Sequence, residues 1–320
     1  MRSRVSLENR GWIALAGMAS LALFGGVFAA TVKAPANAAS TPSTSHAALD
    51  QPSPLKAPDK GSIPVAILLS EGAQVIDFAG PWEVFQDTYV PGRMDPPFQL
   101  YTVAESTKPI QASDGLTIVP QYSLDNAPPP KIIVIPAQGG RSEAMLSWIR
   151  KSAKSADVTM SVCTGAFLLA KTGLLSGKAA TTHHASYSSL AVNFPDIQVR
   201  RGARYVEMGN LATAGGLSSG IDLALRVVER YFGTQVATET AYQMEYLGDG
   251  WKNPESNQVY AAERVSTPGH PRCPICQMEV DPSAEGTFKS TYKNTAYYFC
   301  SKEHKEEFDK TPAAFLTAAR

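Results

Sequence analysis

The chain lacks an excess of charge of either sign: 29 lysines and arginines face 29 aspartates and glutamates. No basic run interrupts that balance, so nothing offers a phosphate backbone the positive surface it needs, and nucleic acid is not an expected partner. A helix-turn-helix candidate is also missing after the part where strands and helices alternate. Together with the export expected from the N-terminus, its absence excludes direct gene regulation. Cysteine is scarce, with four residues in 320, and those four divide into one loner and one cluster. Cys163 stands alone, whereas Cys273, Cys276 and Cys300 gather near the C-terminus with His304 close behind. Apolar residues are plentiful. At 44% hydrophobic and 9% aromatic they suffice for one large core and a second small one.

Arg2, Arg4 and Arg10 precede a nearly unbroken apolar run from Gly11 to Val32. A positive n-region before an apolar h-region reads as an export signal. The run is long for an h-region and approaches the roughly 20 residues of a membrane span. Ala36-Asn37-Ala38 offers a small-x-small cleavage site, and Val27-Phe28-Ala29 a poorer one. Residues 1–38 are therefore expected to be a signal peptide, with a retained inner-membrane anchor through residues 11–32 as the alternative. In both cases the arginines stay inside and the bulk of the chain is expected in the periplasm. From Lys33 to Lys60 alanine, proline, serine and threonine dominate. Such a segment buries too little surface to offset its ordering entropy, so residues 39–60 are expected to be a disordered linker.

Between residues 61 and 250 short apolar runs alternate with helical patterns. Ile63–Leu69 and Ile132–Ile135 are apolar on both faces, as central parallel strands are. Phe98–Ala104, Leu116–Val119 and Val158–Val162 read as further strands, and Val206–Ala214 as a pair turning at Gly209-Asn210. Helices are expected over Trp82–Tyr89, introduced by Gly80-Pro81, and over Ser142–Ala153, Gly165–Lys171, Ser219–Phe232 and Thr234–Leu247. The alternation predicts an α/β fold, a three-layer sandwich around a mainly parallel sheet. Ligands of such sheets bind beyond the carboxyl ends of the strands. Asp77, Gly139-Gly140 and Cys163 all follow strand ends.

Cys163 falls where an apolar strand turns sharply into a helix. A side chain held at such an elbow is aimed at the crevice. The helix N-terminus is expected to lower the thiol pKa from about 8.5 towards neutrality. The N–H of Thr164, with those near Gly139 and Gly140, offers an oxyanion hole, and Ile76 is assigned to the same pocket. The other reading of Cys163 is a small buried hydrophobe; that of Asp77 is a turn or N-cap residue. Asp222, in the helix after Gly215-Gly216, is expected to serve structure.

Ser161-Val-Cys-Thr-Gly-Ala166, Gly173-Leu-Leu-Ser-Gly-Lys-Ala-Ala-Thr-Thr-His183 and Ala214-Gly-Gly-Leu-Ser-Ser-Gly-Ile-Asp-Leu-Ala-Leu225 resemble the ThiJ/PfpI superfamily in its isonitrile-hydratase-like branch. The same domain is the sensor half of some AraC-type regulators. Gln74-Val-Ile-Asp-Phe-Ala-Gly-Pro-Trp-Glu-Val-Phe85 resembles the branch's first motif, and the resemblance covers Ile63 to Gly248. It implies a class I glutamine amidotransferase-like fold and a homodimer. Cys163 becomes the nucleophile, Asp77 the proton donor or relay, Thr164 its neighbour, and His183 a further site residue. A small-molecule substrate is implied and no cofactor at the cysteine. The implied reaction is that of a lyase adding water to a small electrophile, which turns an isonitrile into an N-substituted formamide. The superfamily's proteases carry histidine directly after the cysteine. Thr164 stands there instead, so proteolysis is not supported. Ser161 replaces the glycine many members have two positions before the cysteine.

Cys273-Pro-Ile-Cys276 and Cys300-Ser-Lys-Glu-His304 give C-x2-C and C-x3-H spacings. The first is a knuckle that points two sulfurs at one ion. The second puts Cys300 at a strand end and His304 one turn into a helix, facing the same point. Thr287–Phe299 reads as a β-hairpin turning near Lys293-Asn294. Four soft or borderline ligands suit zinc, copper or iron. A Cys273–Cys276 disulfide is the alternative in an oxidising compartment. Cys273–Met278, Tyr297–Ser301, Phe308 and Pro312–Phe315 resemble the YHS domain. That resemblance implies a metal-binding module at 270–320, a metal-stapled hairpin and helix, behind a linker at 251–269. Gln277 replaces its common glycine and His304 a common cysteine; His270 is an optional fifth ligand assigned to the linker. Beside the enzyme stand two binding readings, a non-catalytic small-molecule or metal sensor and a copper- or redox-handling protein.

Overall fold

The computed structural model describes residues 52–262 and 264–318. The expected signal peptide, the alternative anchor at 11–32 and residues 39–51 of the expected linker lie outside the described residues. Among the described residues no helix is long and apolar enough to cross a membrane.

The chain runs through β1 (Ile63–Leu68), α1 (Val75–Gln86), β2 (Phe98–Ala104), β3 (Ile110–Gln111), β4 (Thr117–Ile118), β5 (Tyr122–Ser123) and β6 (Ile132–Ile135). It continues with α2 (Glu143–Ala153), β7 (Val158–Val162), α3 (Gly165–Lys171), β8 (Ala179–Ala180), α4 (Tyr187–Asn193) and β9 (Gln198–Val199). β10 (Tyr205–Met208), β11 (Leu211–Ala214), α5 (Ser219–Phe232) and α6 (Thr234–Gln243) complete the α/β body. Seven strands form one sheet in the order β10-β11-β7-β6-β1-β2-β5. Every pair is parallel except β10 with β11. Alternate residues of β1 serve opposite layers, because side chains of a strand project with period two. Val65 and Ile67 join α1, α5 and α6 in one core, while Ala66 and Leu68 join α2 and α3 in the other. After β1 the chain builds outward through β2, and after β6 it builds the other way, so the switch point lies between those strands. Their carboxyl ends bound the crevice where such sheets bind ligands.

Several boundaries differ from the sequence expectation. The first helix begins at Val75, not Trp82, and runs through Gly80-Pro81. Pro81 removes one backbone hydrogen bond, yet the pair is a packing device: a Cβ at Gly80 would lie 2.8 Å from the Ile221 side chain of α5. The strand expected over Leu116–Val119 shrinks to β4, which pairs with β3 in a separate ribbon. The helix expected to reach Leu247 stops at Gln243, and Glu245 adopts φ +51°. That turn brings the Tyr246 hydroxyl 2.9 Å from Asp222.

The proposed domain limits also move. Residues 251–260 are not linker. Trp251 is buried and its N–H donates to Asp222 at 2.9 Å, while Arg204 donates to both Asp222 and Asn257. Asp222 is thus the buried acceptor that fastens this segment to α5, the structural role expected of it. Residues 52–60 are not a free tether either. The Leu55 N–H donates to the Arg230 carbonyl at 2.7 Å, and Arg93 donates to the Pro58 carbonyl at 2.9 Å.

The C-terminal segment forms β12 (Phe288–Tyr292), β13 (Thr295–Phe299), α7 (Lys302–Lys310) and α8 (Pro312–Ala318). Lys293 and Asn294 both take positive φ, the two-residue turn that matches strand twist. Six buried residues, Cys273, Ile275, Val280, Phe299, Phe308 and Phe315, make its own core, against which Val192 of α4 packs. Ser189 and Asn193 of α4 both donate to Glu307 of α7.

Candidate functional site

Three loops converge at the switch point. The loop after β7 carries Cys163, which holds φ +57°. That left-handed conformation strains a non-glycine residue and marks functional positions. The Cys163 N–H donates to the Gly215 carbonyl at 2.8 Å, and the Thr182 hydroxyl donates to the Cys163 carbonyl at 2.9 Å. The strained turn is therefore fixed from two sides. Gly165 makes the turn possible: a Cβ there would stand 2.2 Å from the Ile135 carbonyl oxygen. Because backbone cannot retreat as a side chain can, Gly165→Ala is expected to cost about 3 kcal/mol. Urea denaturation checks this, and unchanged stability would mean the elbow relaxes freely.

The helix supplying the elbow is only seven residues long, and burial overrides it. The Cys163 thiol is pushed up to about 12, first by burial and then by the Asp77 carboxyl, against the opposing N–H groups of Thr164 and Leu217. The expected shift towards neutrality is thereby reversed, because burial moves the thiol upward. Asp77 lies in the first turn of α1 and is fully buried. Its Oδ2 accepts from the Ala137 N–H at 3.1 Å, and it does not cap its helix, since Gln74 holds that position. Its Oδ1 has no hydrogen-bond partner among the described residues. Burial raises its pKa from 3.8 to about 7, opposed by the Ala137 N–H and by interaction with Cys163. Acid and thiol are thus electrostatically coupled.

The anion donors differ from those expected. The Gly139 N–H donates to the Glu71 carbonyl at 2.9 Å and the Gly140 N–H to the Ser70 hydroxyl at 2.8 Å. Both are spent latching the loop after β6 to the loop after β1, so neither is a free oxyanion donor. Thr164 retains its place, and Leu217, unassigned from sequence, supplies the second N–H facing the sulfur. The adjacent Gly215-Gly216 pair was the available signal for that loop. Leu217 also takes φ +48°, and with Ile76 it leaves apolar surface open beside the site, 41% and 38% exposed. Ser161 is buried with no partner for its hydroxyl among the described residues.

His183 packs on the loop between Gly215 and Leu217. Its ring covers Gly216, where a Cβ would lie 2.3 Å from Cδ2, and its Nδ1 accepts from the Ala185 N–H at 3.3 Å. Burial and then His184 lower its pKa to about 4. It is a neutral residue of the wall at Gly216.

The second cluster brings together all four residues expected of it. The ligand atoms of Cys273, Cys276, Cys300 and His304 lie within 4.8 Å of one another. Cys276 Sγ is 3.4 Å from Cys300 Sγ, and His304 Nδ1 is 3.2 Å from Cys300 Sγ and 3.8 Å from Cys273 Sγ. Zinc bonds of about 2.0–2.3 Å in a tetrahedron set ligand-to-ligand edges of about 3.5 Å, so the cluster can hold a metal ion. All four cysteines of the chain are free, with no Cys273–Cys276 disulfide. Hydrogen bonding from Cys276, opposed by burial and aided by His304, lowers the Cys273 thiol pKa. Gln277 takes φ +61° at the end of the knuckle, the conformation for which glycine is the easier residue. His270 binds Glu279 at 2.6 Å and lies outside the cluster.

A family model described as the DJ-1/PfpI family matches residues 64–230. Isonitrile hydratase of Pseudomonas putida is 33% identical over 190 residues, covering 58% of this chain and 79% of that protein. The HTH-type transcriptional regulator CdhR of Pseudomonas aeruginosa is 23% identical over 150 residues, 46% of this chain but only 44% of the regulator. A solved ThiJ/PfpI family protein from Pseudomonas syringae superposes with a TM-score of 0.52 at 27% identity, over 59% of this chain and 77% of that one.

Proposed function

Because this chain belongs to the DJ-1/PfpI family, we propose that its elbow is the centre of a cysteine-dependent hydro-lyase of the isonitrile hydratase type. The observation that carries this reading is the coupled pair itself: a strained Cys163 facing two N–H groups, beside a buried carboxyl whose pKa lies near 7. A carboxyl in that range exchanges protons efficiently at neutral pH. Asp77 takes the thiol proton as sulfur attacks the terminal carbon of R–NC, then delivers it to that carbon, leaving R–N=CH–S–Cys163. Water adds to the same carbon, the C–S bond breaks, and the thiol is restored with its proton. The product is R–NH–CHO, so the balance is one isonitrile plus one water. The N–H groups of Thr164 and Leu217 stabilise the sulfur while it is anionic, and Ile76 and Leu217 supply an apolar wall for R.

The reading extends to the rest of the chain. The arginine-flanked apolar run at 11–32 supports export, and the Cys3His cluster supports a YHS-like metal module, with zinc, copper or iron as its ion. Sensing without turnover is the second reading, favoured by the buried, protonated thiol and by the likeness to the sensor half of a regulator. Turnover decides between them. The purified chain is expected to convert an alkyl isonitrile to the formamide with saturation, followed by infrared loss of the isonitrile stretch. Cys163→Ala is expected to abolish conversion while leaving the melting curve intact. Persistent turnover in that variant would remove the cysteine from the reaction, and none in the parent chain would favour the sensor.

A further inference from the structure

Away from the elbow, a cavity of about 620 Å³ lies where the α/β body meets the cysteine module. His183 and His184 line it from the body, Tyr260 and Arg264 from the connecting segment, and Arg272 and Cys276 from the module. Its volume falls within the range of about 300–1,000 Å³ typical of small-molecule sites. One wall is a ladder of rings: His183 lies 4.3 Å from His184, and Tyr260 stacks on His184 at 5.1 Å with planes 24° apart. Tyr260 remains 45% exposed, so part of the ladder is still open.

The charges differ in how they are used. Arg272 donates to the Gln277 carbonyl at 3.1 Å and to Glu279 at 3.2 Å. Glu279 is further engaged by His270 at 2.6 Å. Arg264 makes no hydrogen bond or ion pair among the described residues; His184 and Glu279 feel its charge only at a distance. Burial holds both histidines in the neutral form, so they add no counter-charge. The cavity therefore joins a flat aromatic wall to a spare guanidinium. Glu279 also lines the cavity, but its carboxylate is taken up by Arg272 and His270, so the charge left over is the guanidinium of Arg264. A guanidinium matches a carboxylate with paired, charge-assisted hydrogen bonds, and stacked rings favour a flat partner.

We propose that this junction cavity binds a small planar organic anion of the aromatic carboxylate class, laid on the His184–Tyr260 stack with its charge on Arg264. Neither Cys163 nor Asp77 lines it, and its walls come from both modules.

Benzoate is the probe, titrated calorimetrically into the full chain, with benzamide as its uncharged counterpart. Benzoate is expected to bind one per chain, and benzamide about tenfold or more weakly, because it lacks the charge Arg264 pairs with. Arg264→Gln, at an exposed position where folding is unaffected, should weaken benzoate about tenfold, and Tyr260→Ala should weaken it as well. Cys163→Ala should bind as the parent does. The proposal is overturned if benzoate does not bind or if Arg264→Gln binds it unchanged. Loss of binding in Cys163→Ala would likewise overturn it by putting the anion at the elbow.

Discussion

Asp77→Asn is expected to remove turnover by a factor of about 10²–10⁴ while stabilising the folded chain at pH 8 by about 2 kcal/mol. Both effects follow from burial. The carboxyl is fully buried, one of its oxygens has no hydrogen-bond partner among the described residues, and its pKa rises from 3.8 to about 7. At about 1.4 kcal/mol per pH unit that rise corresponds to about 4 kcal/mol of destabilisation once the carboxyl is ionised. Asparagine keeps an oxygen for the Ala137 N–H but buries an amide group without an assured partner, which costs about 1–3 kcal/mol and leaves the smaller net gain.

The pH dependence fixes the sign. Between 3.8 and about 7 the native state holds a proton on Asp77 that the unfolded chain has lost. The contribution of Asp77 to stability is therefore full below 3.8, falls as pH rises to about 7, and is level above. Urea denaturation of parent and variant across pH 4–8 should show a difference that grows with pH over that window. A constant difference would mean the carboxyl titrates normally and is not the buried partner of Cys163. In the parent, turnover should rise with pH through about 7, as Asp77 gains the capacity to take the thiol proton. The asparagine variant should lose that limb.

Cys300→Ser is expected to release bound metal and unfold the C-terminal module while the α/β body stays folded. Among the described residues six buried ones form that module's core, and a segment so small rarely folds without a staple. A structural zinc site contributes about 10–16 kcal/mol in small metal-dependent folds, far more than such a core supplies. Cys300 Sγ also lies 3.4 Å from Cys276 Sγ and 3.2 Å from His304 Nδ1, so its loss removes a vertex that both of them face. Metal content by plasma mass spectrometry should fall from about one ion per chain, as a single four-ligand site implies. Trypsin should then cut at Lys289 and Lys293 in the hairpin. A metal-free variant with an equally protected hairpin would show that the aromatic core suffices, and metal would lose its structural role.

The local patterns were legible where chemistry is carried by neighbours in sequence. Apolar runs on both faces fix β1 and β6 as central strands, because only parallel strands covered by two layers tolerate such runs. The C-x2-C and C-x3-H spacings bring four ligands together because a knuckle and one helical turn are rigid over a few residues. The boundaries at Val75, Gln243 and Tyr260 were not legible. Each depends on a distant partner: Ile221 against Gly80, Asp222 against Tyr246, and Asp222 again against Trp251.

At the elbow the division is sharper. Sequence alone determined that Cys163 ends an apolar strand before a helix, that Asp77 and Thr164 stand in matching motifs, and that histidine does not follow the cysteine. The tertiary structure decided the protonation of the pair, since burial depends on every layer packed around it and outweighs a seven-residue helix. It likewise decided which N–H groups remain free, because Gly139 and Gly140 spend theirs on residues about 70 positions earlier while Leu217 turns its own toward the sulfur. Hydrogen-bond partners and dielectric are long-range properties, and no local motif encodes them.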